Sequence, residues 1–180
     1  MSQLKLNFRS VTTLIVDRDR YTRSLVGQML RGFGVGGIES LDSGAAAQEY
    51  IQKNFVDLCI VEANLPDMSG ADFVRWVRRE QKEPARFMPI LVLTGYTQLK
   101  LISQVRDAGA NLVVKKPVSA QVLFDRIAWI AKTSRSYIET GDYVGPDRRF
   151  KDMVPLGGVY RRDTDAPVQM ESTPASESTA

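Results

Sequence analysis

The chain has 180 residues, of which 43% are apolar and 25% charged, and its formal net charge is +3. It contains no histidine, which excludes Ser-His-Asp and Cys-His triads, HExxH zinc sites and histidine-based pH switches. The positive charge is modest and accompanies no DNA-reading motif, so we expect no binding to DNA.

The single cysteine, Cys59, lies in the apolar run LCIV and is predicted to pack as a small hydrophobic residue, which is typical of a protein in a reducing cytoplasm. No apolar stretch reaches the roughly 18 residues that span a bilayer. The first ten residues also lack the apolar segment of a signal peptide. We therefore predict a cytoplasmic protein that does not bind membranes.

The first two-thirds of the chain alternate short β-branched runs with longer segments of helical period. Continuous apolar runs indicate strands that are buried on both faces, as in a parallel sheet between two helical layers. Five strands are predicted, at residues 11–17, 37–42, 57–63, 87–94 and 111–115. A helix is predicted after each strand, at 19–33, from Ser43 or Gly44 to Ile51, after the loop 64–70, before Gly109, and at 118–133. This pattern predicts an α/β fold, in which (βα)5 units form a doubly wound, five-stranded parallel sheet.

The third predicted helix has a strongly amphipathic pattern. Its large apolar residues lie on one side, and Arg75, Arg78 and Arg79 are assigned to the other. Such a run of charges is typical of a solvent-exposed helical face, so we predict that these arginines are exposed.

Three regions are predicted along the chain: an N-terminal arm at residues 1–9, a domain at residues 10–133, and a C-terminal tail at residues 134–180. In the tail the apolar periodicity disappears and Gly, Pro, Asp, Arg, Ser and Thr become frequent. Such a composition does not bury enough apolar surface to order a chain, so we expect a largely disordered tail. The tail contains two arginine pairs, Arg148–Arg149 and Arg161–Arg162.

Polar side chains stand at the carboxyl ends of the predicted strands. Asp17 and Arg18 follow the first strand, Glu62 and Thr94 lie at the ends of the third and fourth, and Lys116 follows the fifth. Because the carboxyl ends of parallel strands meet at one edge of the sheet, where ligands bind in such folds, we expect these side chains to form one site.

These residues stand in the runs LIVDRDR, DLCIVEANLPDMSG, ILVLTGY and AGANLVVKKPV. With this order and spacing, residues 10–133 resemble the response-regulator receiver family of CheY-like domains. The resemblance implies a flavodoxin-like fold and a non-enzymatic role in two-component phosphorelay signalling. In that family, two acids after strand one bind Mg2+ and an aspartate ending strand three accepts a phosphoryl group from a histidine kinase. A Thr or Ser ends strand four, and a Lys-Pro pair follows strand five.

Three residues match the site of the receiver family and two depart from it. Asp17 matches the first acid of the metal pair, Thr94 the hydroxyl that contacts the phosphoryl group, and Lys116 the cation. Glu62 occupies the phosphoacceptor position, and Arg18 occupies the position of the acid that touches the metal directly. The resemblance therefore implies the fold, whereas these departures put the phosphorylation chemistry in doubt.

Because Arg18 stands where the receiver family has an acid, the local charge differs by two units from that of the family. A unit charge at about 4 Å is worth roughly 4 kcal/mol at an effective dielectric constant of about 20. We therefore expect no Mg2+ binding and no other cofactor. Arg18 is predicted to pair with Glu62 or Asp17 through two parallel hydrogen bonds, whereas Asp19 is expected to stabilise the start of the following helix.

The longer side chain at Glu62 extends towards the position that an aspartyl phosphate would fill, and its charge mimics a phosphoryl group in part. Two outcomes stay open: a permanent signalling conformation in which Glu62 contacts Lys116, Thr94 and Arg18, or an inert remnant stabilised by ion pairs. Val113 occupies the position at which active receivers commonly carry a Tyr or Phe switch residue. Because valine is stiff at χ1, we predict no aromatic switch.

The leading hypothesis is a degenerate receiver with no catalytic residue, which binds a signalling protein of unknown identity without being phosphorylated. The resemblance implies that the partner docks on helix four, strand five and helix five. That surface is expected to display Lys100, Arg106, Lys115 and Tyr96.

Two alternatives stay open. Arginine-rich C-terminal stretches occur in receiver-like proteins that bind cyclic di-GMP, and guanidinium groups pair with guanine and clamp phosphates. The candidate ligand-binding residues are Arg148, Arg149, Arg161 and Arg162, with Tyr143 or Tyr160 as a stacking surface. The other alternative is a receiver that a histidine kinase still phosphorylates, at Glu62 or at Asp67.

Overall fold

The computed structural model describes residues 7–95, 99–133, 136–141 and 143–147. Strands and helices alternate through most of this length. In chain order they are β1 (Thr12–Val16), α1 (Arg20–Gly32), β2 (Gly37–Leu41), α2 (Gly44–Lys53), β3 (Leu58–Glu62), α3 (Gly70–Glu80), β4 (Ile90–Thr94), α4 (Leu99–Asp107), β5 (Leu112–Lys115), α5 (Ala120–Lys132), β6 (Tyr137–Glu139) and β7 (Val144–Pro146).

Strands β1 to β5 form one sheet in the order β2-β1-β3-β4-β5, and every neighbouring pair is parallel. The strand order reverses between β1 and β3, which is the switch point of a flavodoxin-like sheet. The predicted (βα)5 doubly wound fold is confirmed. The carboxyl ends of β1 and β3 therefore flank the crevice in which such folds place their ligands.

Two hydrophobic cores cover the two faces of the sheet. Because side chains alternate along a strand, Leu14 and Val16 pack with residues of α2, α3 and α4, whereas Ile15 packs with residues of α1 and α5. All five residues of β3 and of β4 are buried. Cys59 belongs to the first core and is fully buried, as its apolar neighbours predicted.

Short polar residues and glycines set the helix ends. Side-chain oxygens at four N-caps accept backbone N–H groups of the first turn, at Asp19, Ser43, Ser69 and Ser119. Gly34 and Gly109 follow α1 and α4 with φ of 83° and 106°, a left-handed conformation that side chains with a Cβ rarely adopt. These are the helix ends that the sequence predicted.

Strand β4 is shorter than predicted. The segment Ala85–Phe87 forms a 3-10 turn, and the strand begins only at Ile90. Pro89 has no backbone N–H to give to a neighbouring strand, which accounts for a start directly after it.

The prediction that Arg75, Arg78 and Arg79 are all exposed is wrong for Arg78. This side chain is 1% exposed, whereas Arg75 forms an exposed pair with Asp72. Arg78 lies one residue after Val77 and four after Val74, both fully buried, so it shares their face of α3. Backbone carbonyls satisfy its guanidinium there, which a helical pattern does not reveal.

The compact unit continues past residue 133, the predicted boundary between domain and tail. Strands β6 and β7 form an antiparallel pair in which Val144–Pro146 is buried, and the compact unit extends through Asp147. At the other end, Phe8 of the predicted arm is 6% exposed and packs in the second core. Residues 148–180 lie outside the part of the chain that the structure describes.

Among the described helices, none combines the length and the apolar character needed to cross a bilayer.

Candidate functional site

The sheet topology brings four of the predicted site residues to one edge. Asp17 directly follows β1, Glu62 and Thr94 are the last residues of β3 and β4, and Lys116 directly follows β5. Asp17, Glu62 and Thr94 are 3%, 8% and 2% exposed, so the polar ends of these strands are nearly closed to water. Buried carboxylates need charged or hydrogen-bonding partners, and the neighbouring strand end supplies one.

The Lys116 side chain joins the two carboxylates. Its Nζ lies 2.5 Å from Oδ2 of Asp17 and also donates to Oε2 of Glu62. Burial by itself lowers the pKa of Lys116, but the hydrogen bonds to Asp17 and Glu62 outweigh it and raise this pKa above its ordinary value. The ammonium group is therefore held charged between two carboxylates.

The remaining carboxylate oxygens bind the backbone. Oε1 of Glu62 accepts the N–H of Ala63 at 2.9 Å, and Oδ1 of Asp17 accepts the N–H of Asp19 at 2.9 Å. Each carboxylate thus has one oxygen on the Lys116 ammonium and one on a main-chain donor.

Arg18 does not form the predicted pair with Asp17 or Glu62. Its side chain is exposed, and among the described residues no ion pair joins it to either carboxylate. Successive residues leaving a strand point to opposite sides, so Asp17 enters the site and Arg18 lies at its rim. Arg23 of α1 fixes this loop by donating to the carbonyl oxygens of Asp17 at 2.5 Å and Arg18 at 3.1 Å.

Asp19 is an N-cap of α1, as expected. Its carboxylate accepts the N–H of Tyr21 and both the N–H and the hydroxyl of Thr22. The bond from the Thr22 hydroxyl is the largest cause that lowers the pKa of Asp19. Its oxygens are therefore committed to the start of the helix.

These side chains surround a cleft of about 330 Å3 at the strand ends. Sequence reasoning missed three of the lining residues: Asn64 and Gly95, which follow the ends of β3 and β4, and Thr22, in the first turn of α1. They line the cleft together with Asp17, Arg18, Asp19, Glu62 and Lys116. Within the described part of the chain, no group of three or more His, Cys, Asp or Glu side chains is arranged to hold a metal ion. A second cleft of about 520 Å3, between the C-terminal ends of α2 and α3, contains no residue of this site.

Asp67 lies away from the cleft. Its two oxygens accept the N–H groups of Gly44 at 2.9 Å and Ala45 at 2.7 Å, at the start of α2. Burial raises the pKa of Asp67, but these backbone bonds outweigh it and lower the pKa overall. The carboxylate thus connects the loop after β3 to α2 and is not among the residues that line the cleft.

Val113 lies in β5 opposite Val92 of β4 and packs, partly buried, against the first core.

Lys100, Arg106 and Lys115 are exposed on α4 and β5, as expected for that surface. The predicted Tyr96, Tyr160, Arg148, Arg149, Arg161 and Arg162 lie outside the described residues. Tyr143, the other candidate stacking residue, donates its hydroxyl to the Pro146 carbonyl within the hairpin.

Known proteins share this fold and this sequence pattern. Residues 13–128 match the family model described as the response regulator receiver domain. The chemotaxis protein CheY of Pseudomonas aeruginosa is 31% identical over 114 residues, which are 63% of this chain and 90% of that protein. The chemotaxis response regulator CheY4 of Vibrio cholerae is 28% identical in sequence and superposes with a TM-score of 0.61, over 67% of this chain and 98% of that structure. A cyclic di-GMP phosphodiesterase of Thermotoga maritima is 34% identical over 113 residues, but the match covers only 29% of that protein.

Proposed function

Because the chain belongs to the response regulator receiver family, we propose that it is a degenerate receiver that binds a protein partner in two-component signalling without being phosphorylated. The observation that carries this proposal is the placement of the Lys116 ammonium on both Asp17 and Glu62. Both oxygens of Glu62 accept hydrogen bonds, one from Lys116 and one from the Ala63 N–H, and these bonds lower the nucleophilicity of the carboxylate.

The charges at the site support loss of Mg2+. This ion requires near-octahedral oxygen ligands at about 2.0–2.1 Å. Asp17 and Glu62 are the buried carboxylates of the cleft and both are engaged by Lys116, while Arg18 stands where a further acid would be needed. Adding a divalent cation beside two side-chain cations is opposed by direct repulsion in a poorly solvated site. The residues present do not fit the metal.

The Glu62 carboxylate takes over part of the role of a phosphoryl group. It gives Lys116 the anionic partner that phosphorylation would supply, although it carries about one negative charge instead of nearly two. We therefore favour a domain held in one signalling conformation over an inert remnant. The exposed Lys100, Arg106 and Lys115 on α4 and β5 favour a partner with an acidic surface.

The test is exposure of the full chain to Mg2+ with beryllofluoride or acetyl phosphate. We expect no saturable change in tryptophan fluorescence at millimolar metal and no phosphoryl adduct by mass spectrometry. A pull-down from lysate with the wild type and Glu62→Ala tests the frozen conformation, because loss of the carboxylate is expected to weaken partner capture. Covalent labelling of the wild type would overturn the proposal.

The cyclic di-GMP hypothesis stays a prediction. Its candidate residues, Arg148, Arg149, Arg161 and Arg162, all lie outside the described part of the chain. It requires a binding measurement on the full chain.

A further inference from the structure

Arg78 of α3 is a buried cation held by neutral groups. Its Nε donates to the Gly109 carbonyl at 3.0 Å, its Nη1 to the carbonyls of Arg86 and Met88, each at 2.8 Å, and its Nη2 to Oδ1 of Asn111 at 3.0 Å. Within the described residues no carboxylate forms an ion pair with it. These acceptors lie in the 3-10 turn Ala85–Phe87 and beside the ends of α4, β4 and β5 that are opposite the cleft.

Strand β6 covers the open face of this guanidinium. The Arg78 Cζ atom lies 5.2 Å from the centre of the Tyr137 ring, and the Tyr137 hydroxyl contacts the Asn111 side chain at 3.2 Å from its Nδ2. The same ring packs 5.1 Å from that of Phe87. At the exposed edge, Arg86 pairs with Glu139 at 2.5 Å. A desolvated cation–π contact is stabilising, so Tyr137 anchors β6 to Arg78.

Strand β7 contacts the end of α4 through its backbone. A Cβ atom added to Gly109 would lie 2.3 Å from the carbonyl oxygen of Val144, and one added to Gly145 would lie 2.8 Å from the Cα of Gly109. Neither position has room for a side chain. The hairpin therefore rests directly on the residue that ends α4 and precedes β5.

We propose that strands β6 and β7, which together we call the strap, form a detachable hairpin whose docking on Arg78 holds the C-terminal end of α4 and the start of β5 in place. Two-stranded hairpins are marginally stable alone, so the order of the strap depends on its docking. When the strap undocks, water hydrates the Arg78 guanidinium, which has no buried carboxylate partner. This hydration offsets part of the free energy of the contacts that are lost. For the strap to act as a conformational switch, the docked and undocked states must differ by only a small free energy.

The consequence for function rests on the proposed use of the α4 and β5 surface in partner binding. A strap that holds α4 from the end opposite the cleft gives the protein a second place from which this surface can be controlled. Signals received there would not need phosphorylation chemistry at Glu62. The strap itself is independent of the proposed function.

Hydrogen exchange of the full chain, followed by mass spectrometry, tests the strap. We expect Tyr137→Ala to accelerate exchange in peptides from residues 136–147 by about tenfold or more, and to accelerate exchange in residues 104–112 by a similar factor. Peptides of β1 and β3 should keep their rates. Tyr21→Ala is the matched control, because Tyr21 is 73% exposed and its loss should change neither region.

A second variant keeps the test informative if Tyr137→Ala unfolds the domain. Glu139→Gln removes only the exposed pair with Arg86, and the strap and residues 104–112 should then accelerate together by a smaller factor. Faster exchange of the strap with unchanged exchange at residues 104–112 would overturn the proposal. Unchanged exchange of the strap in Tyr137→Ala would do the same.

Discussion

The Nζ atom of Lys116 lies 2.5 Å from Oδ2 of Asp17, although the two residues are 99 positions apart in the sequence. The same ammonium group contacts Glu62, so one cation serves two buried carboxylates.

Lys116→Met is expected to destabilise the domain strongly, because it leaves Asp17 and Glu62 buried together without a cation. Removing one partner of a buried ion pair costs about 3 kcal/mol of unfolding free energy. Urea denaturation measures the loss, and Lys115→Met is the matched control, since Lys115 is exposed. Adding Glu62→Gln to Lys116→Met should restore part of the stability. Equal stabilities for Lys115→Met and Lys116→Met would contradict the role of the pair.

The contribution of Lys116 to stability should disappear at alkaline pH. Burial lowers its pKa, but the bonds to Asp17 and Glu62 raise it above the unfolded value of about 10.4. A raised pKa in the folded state stabilises the protein below the unfolded pKa, and this stabilisation is lost as the pH rises through the folded pKa. The difference in unfolding free energy between wild type and Lys116→Met should stay constant from neutral pH to about 10 and shrink above that. A difference that shrank below pH 9 would show that another group titrates.

The double variant Arg18→Asp, Glu62→Asp is expected to gain Mg2+-dependent phosphorylation. It restores an acid at the rim of the cleft and shortens the acceptor by one methylene, which gives the carboxylates room to bind the metal. Mass spectrometry after incubation with acetyl phosphate and Mg2+ detects the adduct. Each single variant is a control and should gain much less, because metal binding and acceptor geometry are both required. A double variant that folds but neither binds Mg2+ nor is labelled would show that other residues also abolish the chemistry.

Cys59 should be unreactive in the folded protein. Burial raises the pKa of its thiol to about 12, so the thiolate fraction at pH 8 is on the order of one in ten thousand. Labelling with iodoacetamide should therefore be slow without denaturant and should follow the unfolding curve in urea. Because this is the single cysteine, the labelled mass reports on one site. Rapid labelling at low urea would indicate local opening of β3.

Cyclic di-GMP binding, if present, should depend on the arginine pairs of the tail. Isothermal titration compares the full wild-type chain with the double variant Arg148→Ala, Arg149→Ala. The variant Arg126→Ala, on α5, serves as a control because Arg126 is exposed. Each lost bidentate contact to guanine is expected to weaken binding by about 1–3 kcal/mol. Absence of binding heat in the wild type would end this hypothesis.

Much of the architecture could be predicted from local pattern. Continuous apolar runs such as those of β3 and β4 indicate strands buried on both sides, and they are buried at every position. Gly34 and Gly109 mark helix ends because only a residue without a Cβ takes their conformation readily. The meeting of Asp17, Glu62, Thr94 and Lys116 also follows from the sequence, because parallel strands align their carboxyl ends.

Local pattern did not determine which charges would meet. Arg18 and Lys116 were both candidates for the carboxylates, and the choice depends on the loop that Arg23 fixes and on the reach of Lys116 across the sheet edge. Helical periodicity assigned Arg78 to the exposed face with its charged neighbours. In the structure its side chain is buried and donates to backbone carbonyls of other segments.

The ordered structure of the strap also depends on contacts with residues that are distant in the sequence. The strap has the composition of a linker, and its strands β6 and β7 are held by Arg78, Arg86 and Gly109, which are far away in the sequence. Composition and periodicity thus determined the layers of this protein, because burial of apolar surface depends on local spacing. Only the tertiary structure decided the partners of its buried charges, since a hydrogen bond requires a specific donor and acceptor to be brought within about 3 Å.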